Sequence, residues 1–145
     1  MKKRKTIMRS LAKTQQAWQN HVRIVTLAEG IPESYKSVLM FLLRHPGSSQ
    51  RSIAEFAGVT TSAINQVVKS MQEEDSLRKE TDPCDTRNSR LTLTETGQSV
   101  AEKLFAKLDA SDDAITAMIG PDREAELIAL LEQLADYIQK DLSQC

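Results

Sequence analysis

The chain has 145 residues, of which 40% are hydrophobic and 27% charged, so it is long enough for one globular domain with one core. Its 19 basic and 20 acidic residues give a formal net charge of -1, which excludes a uniformly basic nucleic-acid binder but not local basic patches. Two cysteines are too few for a disulfide framework and favour a reducing compartment. No apolar stretch follows the basic opening MKKRK, so we expect a cytoplasmic protein with neither a secretory signal nor a membrane span.

A long amphipathic helix is predicted at the N-terminus, from about Thr6 to Leu27. Its apolar residues recur at helical spacing: Ile7, Leu11, Trp18, Val22 and Val25. Seven basic residues and one acid fall within residues 1–30, whereas residues 99–145 carry four basic residues and ten acids. The acidic excess therefore lies mostly in the C-terminal part of the chain.

The segment from Gln50 to Met71 is typical of two short helices joined by a tight turn, as in a helix-turn-helix. Ala54 is small where the helices must approach each other, Gly58 can adopt the positive φ of the turn, and Thr60 can cap the second helix. The outward face of that helix carries hydroxyls, amides and one cation, which suit hydrogen bonding in a major groove: Thr61, Ser62, Asn65, Gln66 and Lys69. An ordinary amphipathic helix with a polar solvent face has the same pattern.

The segment from Asp82 to Gly97 is the most informative part of the chain, because it predicts a polar hairpin that leads into a helix capped by Thr94. Short strands are predicted at Leu77 to Thr81 and at Arg90 to Leu93. This hairpin would form a wing beside the helix-turn-helix. Arg87 follows Asp85 by two positions, so the carboxylate can brace the guanidinium, although an exposed ion pair on a loop is the simpler interpretation.

Two further helices are predicted after the wing, separated by Gly120-Pro121, with Asp122 as the cap of the last one. Both carry apolar stripes at helical spacing: Val100, Ala101, Leu104, Phe105 and Leu108, then Leu127, Leu130, Leu131, Leu134, Ile138 and Leu142. Helices of this length extend beyond what a small winged core can cover. We therefore expect them to form a homodimer interface with the N-terminal helix, although packing within one monomer is the alternative.

The order of these elements resembles that of the MarR family of bacterial transcriptional regulators, a winged helix-turn-helix family. The resemblance covers essentially the whole chain and includes the segments D-P-x-D-x-R and L-T-x-x-G, present as Asp82, Pro83, Asp85, Arg87, Leu93, Thr94 and Gly97. It implies a mainly α fold with a small β-hairpin wing, in which residues 31–98 form the DNA-binding core and residues 1–30 and 99–145 the dimerisation helices. Family members usually have a glycine where this chain has Asp75-Ser76, and often an arginine in place of Gln66.

The resemblance also implies a homodimer that acts as a repressor by binding a pseudo-palindromic operator in double-stranded DNA. On that model, base contacts come from Thr61, Ser62, Asn65 and Gln66, phosphate contacts from Lys69 and Arg51, and wing contacts from Arg87 and Arg90 with Asp85 as the brace. A small aromatic or phenolic effector is expected where the dimer helices meet the winged core, near Trp18, His21 and Arg44. Each of these three residues also has a simpler structural interpretation. Trp18 can fill the core or the dimer interface, His21 can be a surface residue, and Arg44 can interact with the dipole at the C-terminal end of its helix.

Enzymatic function is not expected, because the two histidines lie in different predicted helices and no Gly-rich phosphate loop is present. We predict no cofactor and no metal site. A site that joins His45 to acidic residues such as Asp109 or Asp112 can be imagined, but the zinc-ligand histidine cluster of some members of the resembling family is absent from the later helices. Two alternatives stay open. One is a protein-binding winged helix with little DNA binding, and the other is a thiol-responsive regulator that uses Cys84 on the wing; Cys145 is the other thiol.

Overall fold

The computed structural model describes residues 4–85 and 87–143, which form a mainly α fold with one two-stranded hairpin, as predicted. In chain order the elements are α1 (Ile7–Ala28), a short 3-10 turn (Glu33–Tyr35), α2 (Lys36–Arg44), α3 (Gln50–Ala57), α4 (Thr61–Glu73), β1 (Leu77–Thr81), β2 (Ser89–Leu93), α5 (Glu95–Ile119), α6 (Pro121–Tyr137) and a π-helical turn (Ile138–Leu142). The chain divides into two compact units, Met1–Lys107 and Leu108–Cys145. Within the described ranges, no helix has the length and apolar character needed to cross a membrane.

Hydroxyl side chains cap the starts of α1 and α4. The Oγ1 atom of Thr6 accepts a hydrogen bond from the backbone N–H of Arg9 at 3.2 Å, so α1 begins within a residue of its predicted start. Thr60 caps α4 in the same way, accepting from the N–H of Ala63 at 3.1 Å, which confirms the predicted cap. Each such cap stabilises its helix by about 1 kcal/mol.

The turn between α3 and α4 follows the predicted helix-turn-helix pattern. Gly58 ends α3 with a φ of 68°, a left-handed conformation that side chains with a Cβ adopt only at a cost. The N–H of Val59 then donates to the carbonyl of Ala54 at 3.1 Å and closes the turn. Ala54 is only 4% exposed, as its predicted position between the helices requires.

The core of the first unit lies between α2, α3, α4, the hairpin and the start of α5. Its apolar side chains come from every one of these elements, with Val22 added from α1: Val38, Leu39, Leu42, Ile53, Ile64, Val68, Met71, Leu77, Leu91, Leu93, Ala101 and Leu104. Burying one such side chain contributes about 1.5–3 kcal/mol, so this cluster is the main source of stability for the unit. It leaves the opposite face of α4 free for other contacts.

The hairpin is anchored to the core through β2. Strands β1 and β2 pair in antiparallel register, with Leu77 opposite Leu93 and Glu80 opposite Arg90. Leu91 is fully buried and also pairs with the segment before α3, because its N–H donates to the carbonyl of Ser48 at 2.8 Å. One face of the wing is thus packed against the core.

The second unit contains the end of α5, followed by α6 and the π-helical turn. Helix α6 begins after Gly120, whose φ is 94°, and Pro121 occupies its first turn. The predicted cap at Asp122 is therefore wrong: the chain already turns at Gly120, and Asp122 lies inside the first helical turn, where its charge still complements the helix dipole. No residue of α6 is buried, although the helix carries the predicted leucine stripe.

Candidate nucleic-acid interface

Helix α4 presents two chemically distinct faces. Its apolar face is buried in the core, with Val68 and Met71 fully inaccessible. The opposite face carries the predicted contact residues: Thr61, Ser62, Gln66 and Lys69 are exposed, and Asn65 is half-buried beside α3. Short polar side chains on an exposed helix face are suited to hydrogen bonding with base edges.

Asn65 has a partner that the sequence analysis missed. The Nε2 atom of Gln50, the first residue of α3, donates to Oδ1 of Asn65 at 3.4 Å. The two residues are 15 positions apart and both are half-buried. No local pattern could have indicated this contact, because it depends on how closely the two helices approach.

Arg51, a predicted phosphate contact, lies exposed at the start of α3. Its Nε atom is 3.2 Å from Oε1 of Glu55, one helical turn later, and both side chains are mostly exposed. An exposed pair of this kind contributes at most about 1 kcal/mol, so a phosphate can readily compete with Glu55 for the guanidinium.

Two carboxylates organise the loop of the wing. Oδ1 of Asp85 accepts from the backbone N–H of Arg87 at 3.0 Å, and its Oδ2 accepts from the side-chain amide of Asn88 at 3.1 Å. Asp85 thus holds the backbone that carries Arg87, a different role from the predicted brace on the guanidinium. The physical reason is that a carboxylate two residues before an N–H reaches it in an Asx-type turn.

Asp82 closes the base of the same loop. Its Oδ1 accepts from the N–H of Cys84 at 2.9 Å, and its Oδ2 is 3.4 Å from Nε of Arg90. The Cys84 N–H lowers the pKa of the Asp82 carboxyl, and the nearby Arg90 guanidinium lowers it further. Arg90, predicted to serve the wing, is therefore oriented by an ion pair, whereas Arg87 projects from the exposed loop.

The connection from α4 to the wing has an unusual backbone. Asp75 adopts a φ of 57°, at the place where the resembling family usually has glycine. Thr94 stabilises this turn, since its Oγ1 donates to the carbonyl of Asp75 at 2.6 Å and accepts from the N–H of Gly97 at 3.1 Å. A Cβ at Gly97 would lie 2.0 Å from the carbonyl oxygen of Ser76, so only glycine fits there. The L-T-x-x-G segment thus locks the wing against the end of α4.

The end of α4 is also tied to the segment before α2. The buried phenol of Tyr35 donates to Oε1 of Glu74 at 3.1 Å. Burial raises the pKa of Tyr35, and the hydrogen bond to Glu74 raises it further. Together with the Thr94 contacts, this bond fixes the position of α4 relative to the wing.

The predicted effector residues are only partly brought together. The rings of Trp18 and His21 on α1 lie 5.6 Å apart at a tilt of 34°. Arg44 is exposed in the last turn of α2. Two clefts of the first unit are lined by other residues: a basic one along α1 (Arg4, Lys5, Arg9, Ser10, Lys13, Thr14 and Ala17) and one of about 160 Å³ beside α4 (Glu33, Ser34, Ser37, Ala57, Val59, Ala63, Ile64 and Val67).

The remaining candidates from the sequence are a metal site that includes His45 and the two thiols. Among the described residues, no group of three or more His, Cys, Asp or Glu side chains is placed to hold a metal. His45 instead packs on the ring of Phe41, at 4.9 Å between centroids. Cys84 is an exposed free thiol on the wing, and Cys145 lies outside the described residues.

A helix-turn-helix with an outward polar face, joined to a hairpin with arginines, defines a winged-helix DNA-binding protein. The model of the MarR family matches residues 29–88 of the chain. The chain is 26% identical over 118 residues to a protein of Thauera aromatica described as a transcriptional regulatory protein for the hcr operon, a match that covers 81% of this chain and 71% of that protein. Over residues 29–88 the chain is therefore similar to the MarR family, and it is a DNA-binding transcriptional regulator rather than an enzyme.

Solved structures share this fold. The transcriptional repressor CouR bound to a 23-mer DNA duplex is 22% identical, with a TM-score of 0.74 over 90% of this chain and 92% of that one. NadR in complex with 4-hydroxyphenylacetate is 19% identical, with a TM-score of 0.74 over 93% of this chain and 96% of that one. These similarities extend the shared fold well beyond the matched residues 29–88.

Proposed function

We propose that the protein is a homodimeric repressor that acts in the cytoplasm by binding a pseudo-palindromic operator. One observation carries the proposal: the exposed polar face of α4 and the stiffened arginine wing belong to the same compact unit. The family relationship supports DNA binding, and the similarity to CouR, a repressor solved with DNA, supports the repressor role.

The contacts divide by chemistry. The polar face of α4 enters a major groove, where Thr61, Ser62, Asn65 and Gln66 read base edges. Lys69 and Arg51 contact phosphates, which position the helix without reading sequence. Arg87, carried on a loop held by Asp85, enters the flanking minor groove, while Arg90 contacts the adjacent backbone.

Dimerisation accounts for the apolar surface of the second unit. In a single chain Leu130 of α6 is 55% exposed, and the rest of the α6 stripe is also accessible. Met118, near the end of α5, is 75% exposed. An uncovered stripe of leucines is unusual on a monomeric protein, so a second copy of the chain is the natural cover.

The proposal includes a small effector that releases the protein from its operator. NadR was solved with 4-hydroxyphenylacetate, which supports a small aromatic or phenolic acid as the class of ligand. Trp18 and His21 form an aromatic pair to contact such a ring, and Arg44 could pair with its carboxylate once the dimer is assembled. The ligand would release the operator only by binding more tightly to a dimer state that fits DNA poorly.

The direct test is selection of binding sites from a pool of randomised duplex DNA, at low and at physiological salt and under reducing conditions. A DNA-binding dimer enriches a palindrome, and its affinity falls steeply with salt because several phosphates are contacted. A folded dimer that enriches no site would overturn the operator proposal and favour the protein-binding alternative. Repeating the binding after mild oxidation, with Cys84→Ser as the control, tests the thiol-responsive alternative.

A further inference from the structure

We propose that Gln50 determines operator specificity by holding the amide of Asn65 so that its NH2 group faces the DNA. This inference rests on the proposed function and adds a residue that does not itself belong to the outward face of α4. It predicts that the base opposite Asn65 presents a hydrogen-bond acceptor in the major groove, which excludes cytosine.

The position of Gln50 is fixed by its backbone. Ser49 caps α3, with its Oγ accepting from the N–H of Ser52 at 3.1 Å, so Gln50 occupies the first helical position. From there its side chain spans the gap between the helices and reaches Asn65. Both residues are half-buried, and this limits the side-chain conformations available to each.

The hydrogen bond distinguishes the two ends of the Asn65 amide. An asparagine side chain carries an acceptor oxygen and a donor NH2 group of nearly the same size, so an unrestrained amide can present either end to a base. Because Nε2 of Gln50 donates to Oδ1 of Asn65, the oxygen is directed towards α3 and the NH2 group is directed away from it. At 3.4 Å the bond is long, so we expect it to orient the side chain more than to stabilise the fold.

The orientation has a consequence for base recognition. In the major groove guanine presents N7 and O6 as acceptors, adenine presents N7 and thymine presents O4, whereas cytosine presents only the N4 amino donor. An outward NH2 group can donate to guanine, adenine or thymine but faces a second donor at cytosine. Gln50 thus acts as a positioning residue that makes Asn65 discriminate between these bases.

The experiment uses the full-length dimer and the operator obtained by selection. The base pair read by Asn65 is first identified as the position where Asn65→Ala abolishes discrimination. Binding of all four variants of that base pair is then measured for the wild type and for Gln50→Ala. The expected result is that Gln50→Ala reduces the discrimination against cytosine at least about fivefold, with the salt dependence unchanged.

A second variant makes the test directional. The carboxylate of Gln50→Glu can only accept a hydrogen bond, so it attracts the NH2 group of Asn65 and directs Oδ1 towards the DNA. We expect this variant to shift the preference towards cytosine or the adenine N6 donor, whatever its overall affinity. Gln98→Ala is the matched control, since it truncates a glutamine on α5 that donates to Glu102 of the same helix at 3.0 Å, and it should leave the preference unchanged.

The outcomes separate this inference from the proposed function. Suppose that an operator is found and that the folded Gln50→Ala and Gln50→Glu dimers keep the wild-type base preference. This result would overturn the role of Gln50 but would leave the proposed function of the protein as a regulator intact. Failure to obtain any operator overturns the proposed function itself. Circular dichroism and light scattering on each variant establish that a changed preference is not caused by unfolding.

Discussion

Gly97 shows how a single residue controls the junction between α4 and the wing. It lies in the first turn of α5, where replacing glycine with alanine normally stabilises a helix by about 1 kcal/mol. Here the carbonyl oxygen of Ser76 lies 2.0 Å from the place a Cβ would occupy, and that oxygen also accepts from the N–H of Thr94. Steric overlap with backbone therefore outweighs helix propensity.

We expect Gly97→Ala to lower the free energy of unfolding by about 3 kcal/mol, because the backbone at Ser76 must move. Urea denaturation of the purified dimer measures this change. Ser99→Ala, an exposed substitution in the same helix, serves as the control and should be close to neutral. Equal stability of Gly97→Ala and the wild type would show that the junction is not closely packed.

Asp75 offers the opposite test, in which a substitution should stabilise the protein. Its φ of 57° is costly for a residue with a Cβ, and its side chain is exposed. Asp75→Gly should raise the free energy of unfolding by about 0.5–1 kcal/mol, and Asp75→Ala should not, since alanine tolerates this region less well than aspartate. A destabilised Asp75→Gly, measured in the same denaturation assay, would contradict the strain at this position.

The sequence indicated some of these residues but not their contacts. Thr94, Gly58 and Thr60 were predicted correctly because caps and tight turns depend on residues near one another in the chain. The pairing of Gln50 with Asn65 was not predictable, since it arises from packing between two helices. Asp75 did carry a signal, because it stands where glycine was expected.

At the scale of elements, the wing combines a buried strand with a loop held by carboxylates. Asp85 accepts hydrogen bonds from the Arg87 backbone and from Asn88, so the loop presents Arg87 in a restricted geometry. Arg87→Ala should weaken operator binding at least about tenfold, the usual scale of a lost groove contact, while leaving the fold and the dimer intact.

Fluorescence anisotropy with the selected operator measures the effect of Arg87→Ala. Lys79→Ala is a suitable control, since it also removes an exposed cation from the wing, but on strand β1 rather than in the loop. We expect the control to change affinity much less. Unchanged binding by Arg87→Ala would remove the loop from the DNA contact.

The bond between Tyr35 and Glu74 makes the anchoring of α4 dependent on pH. Because burial raises the pKa of Tyr35 above its usual value of about 10, the unfolded chain loses this proton first as the pH rises. The contribution of Tyr35 to stability is therefore complete below about pH 10 and is lost as the pH rises through the folded-state pKa. The Tyr35→Phe variant should therefore lack this part of the decrease in stability at alkaline pH.

Denaturation curves at several pH values from about 8 to 11 test this expectation for Tyr35→Phe. The control is Tyr137→Phe, because Tyr137 is 54% exposed in the second unit. At neutral pH, Tyr35→Phe should also cost about 1 kcal/mol for the lost hydrogen bond to Glu74. If the wild type and Tyr35→Phe lose the same amount of stability at alkaline pH, the pH dependence must come from another group.

For the whole molecule, the element order was predictable because helical periodicity and turn residues are local signals. The bounds of α1, the helix-turn-helix and both strands lie within a residue or two of the predicted ones. The start of α6 was misplaced because a glycine with positive φ, rather than a polar side chain, begins that helix. The division into residues 1–30, 31–98 and 99–145 stays a prediction about dimerisation.

The leucine stripe of α6 provides a test of assembly. Leu130→Glu places a charge in the centre of the proposed interface, so the dimer should dissociate to monomers at micromolar concentration. Ala125→Glu adds the same charge on the opposite side of α6 and should remain dimeric. Sedimentation or light scattering distinguishes these results. A Leu130→Glu protein that stays dimeric would place the interface elsewhere.

The central claim is that two copies of the chain bind one palindromic operator through α4 and the wing. It is tested most directly by measuring the mass and the affinity of complexes with the full operator and with an isolated half-site. We predict two protomers on each full operator and a loss of at least about a hundredfold in affinity on the half-site, because the second contact then no longer assists the first. One protomer on each duplex, with equal affinity for both sites, would contradict the claim.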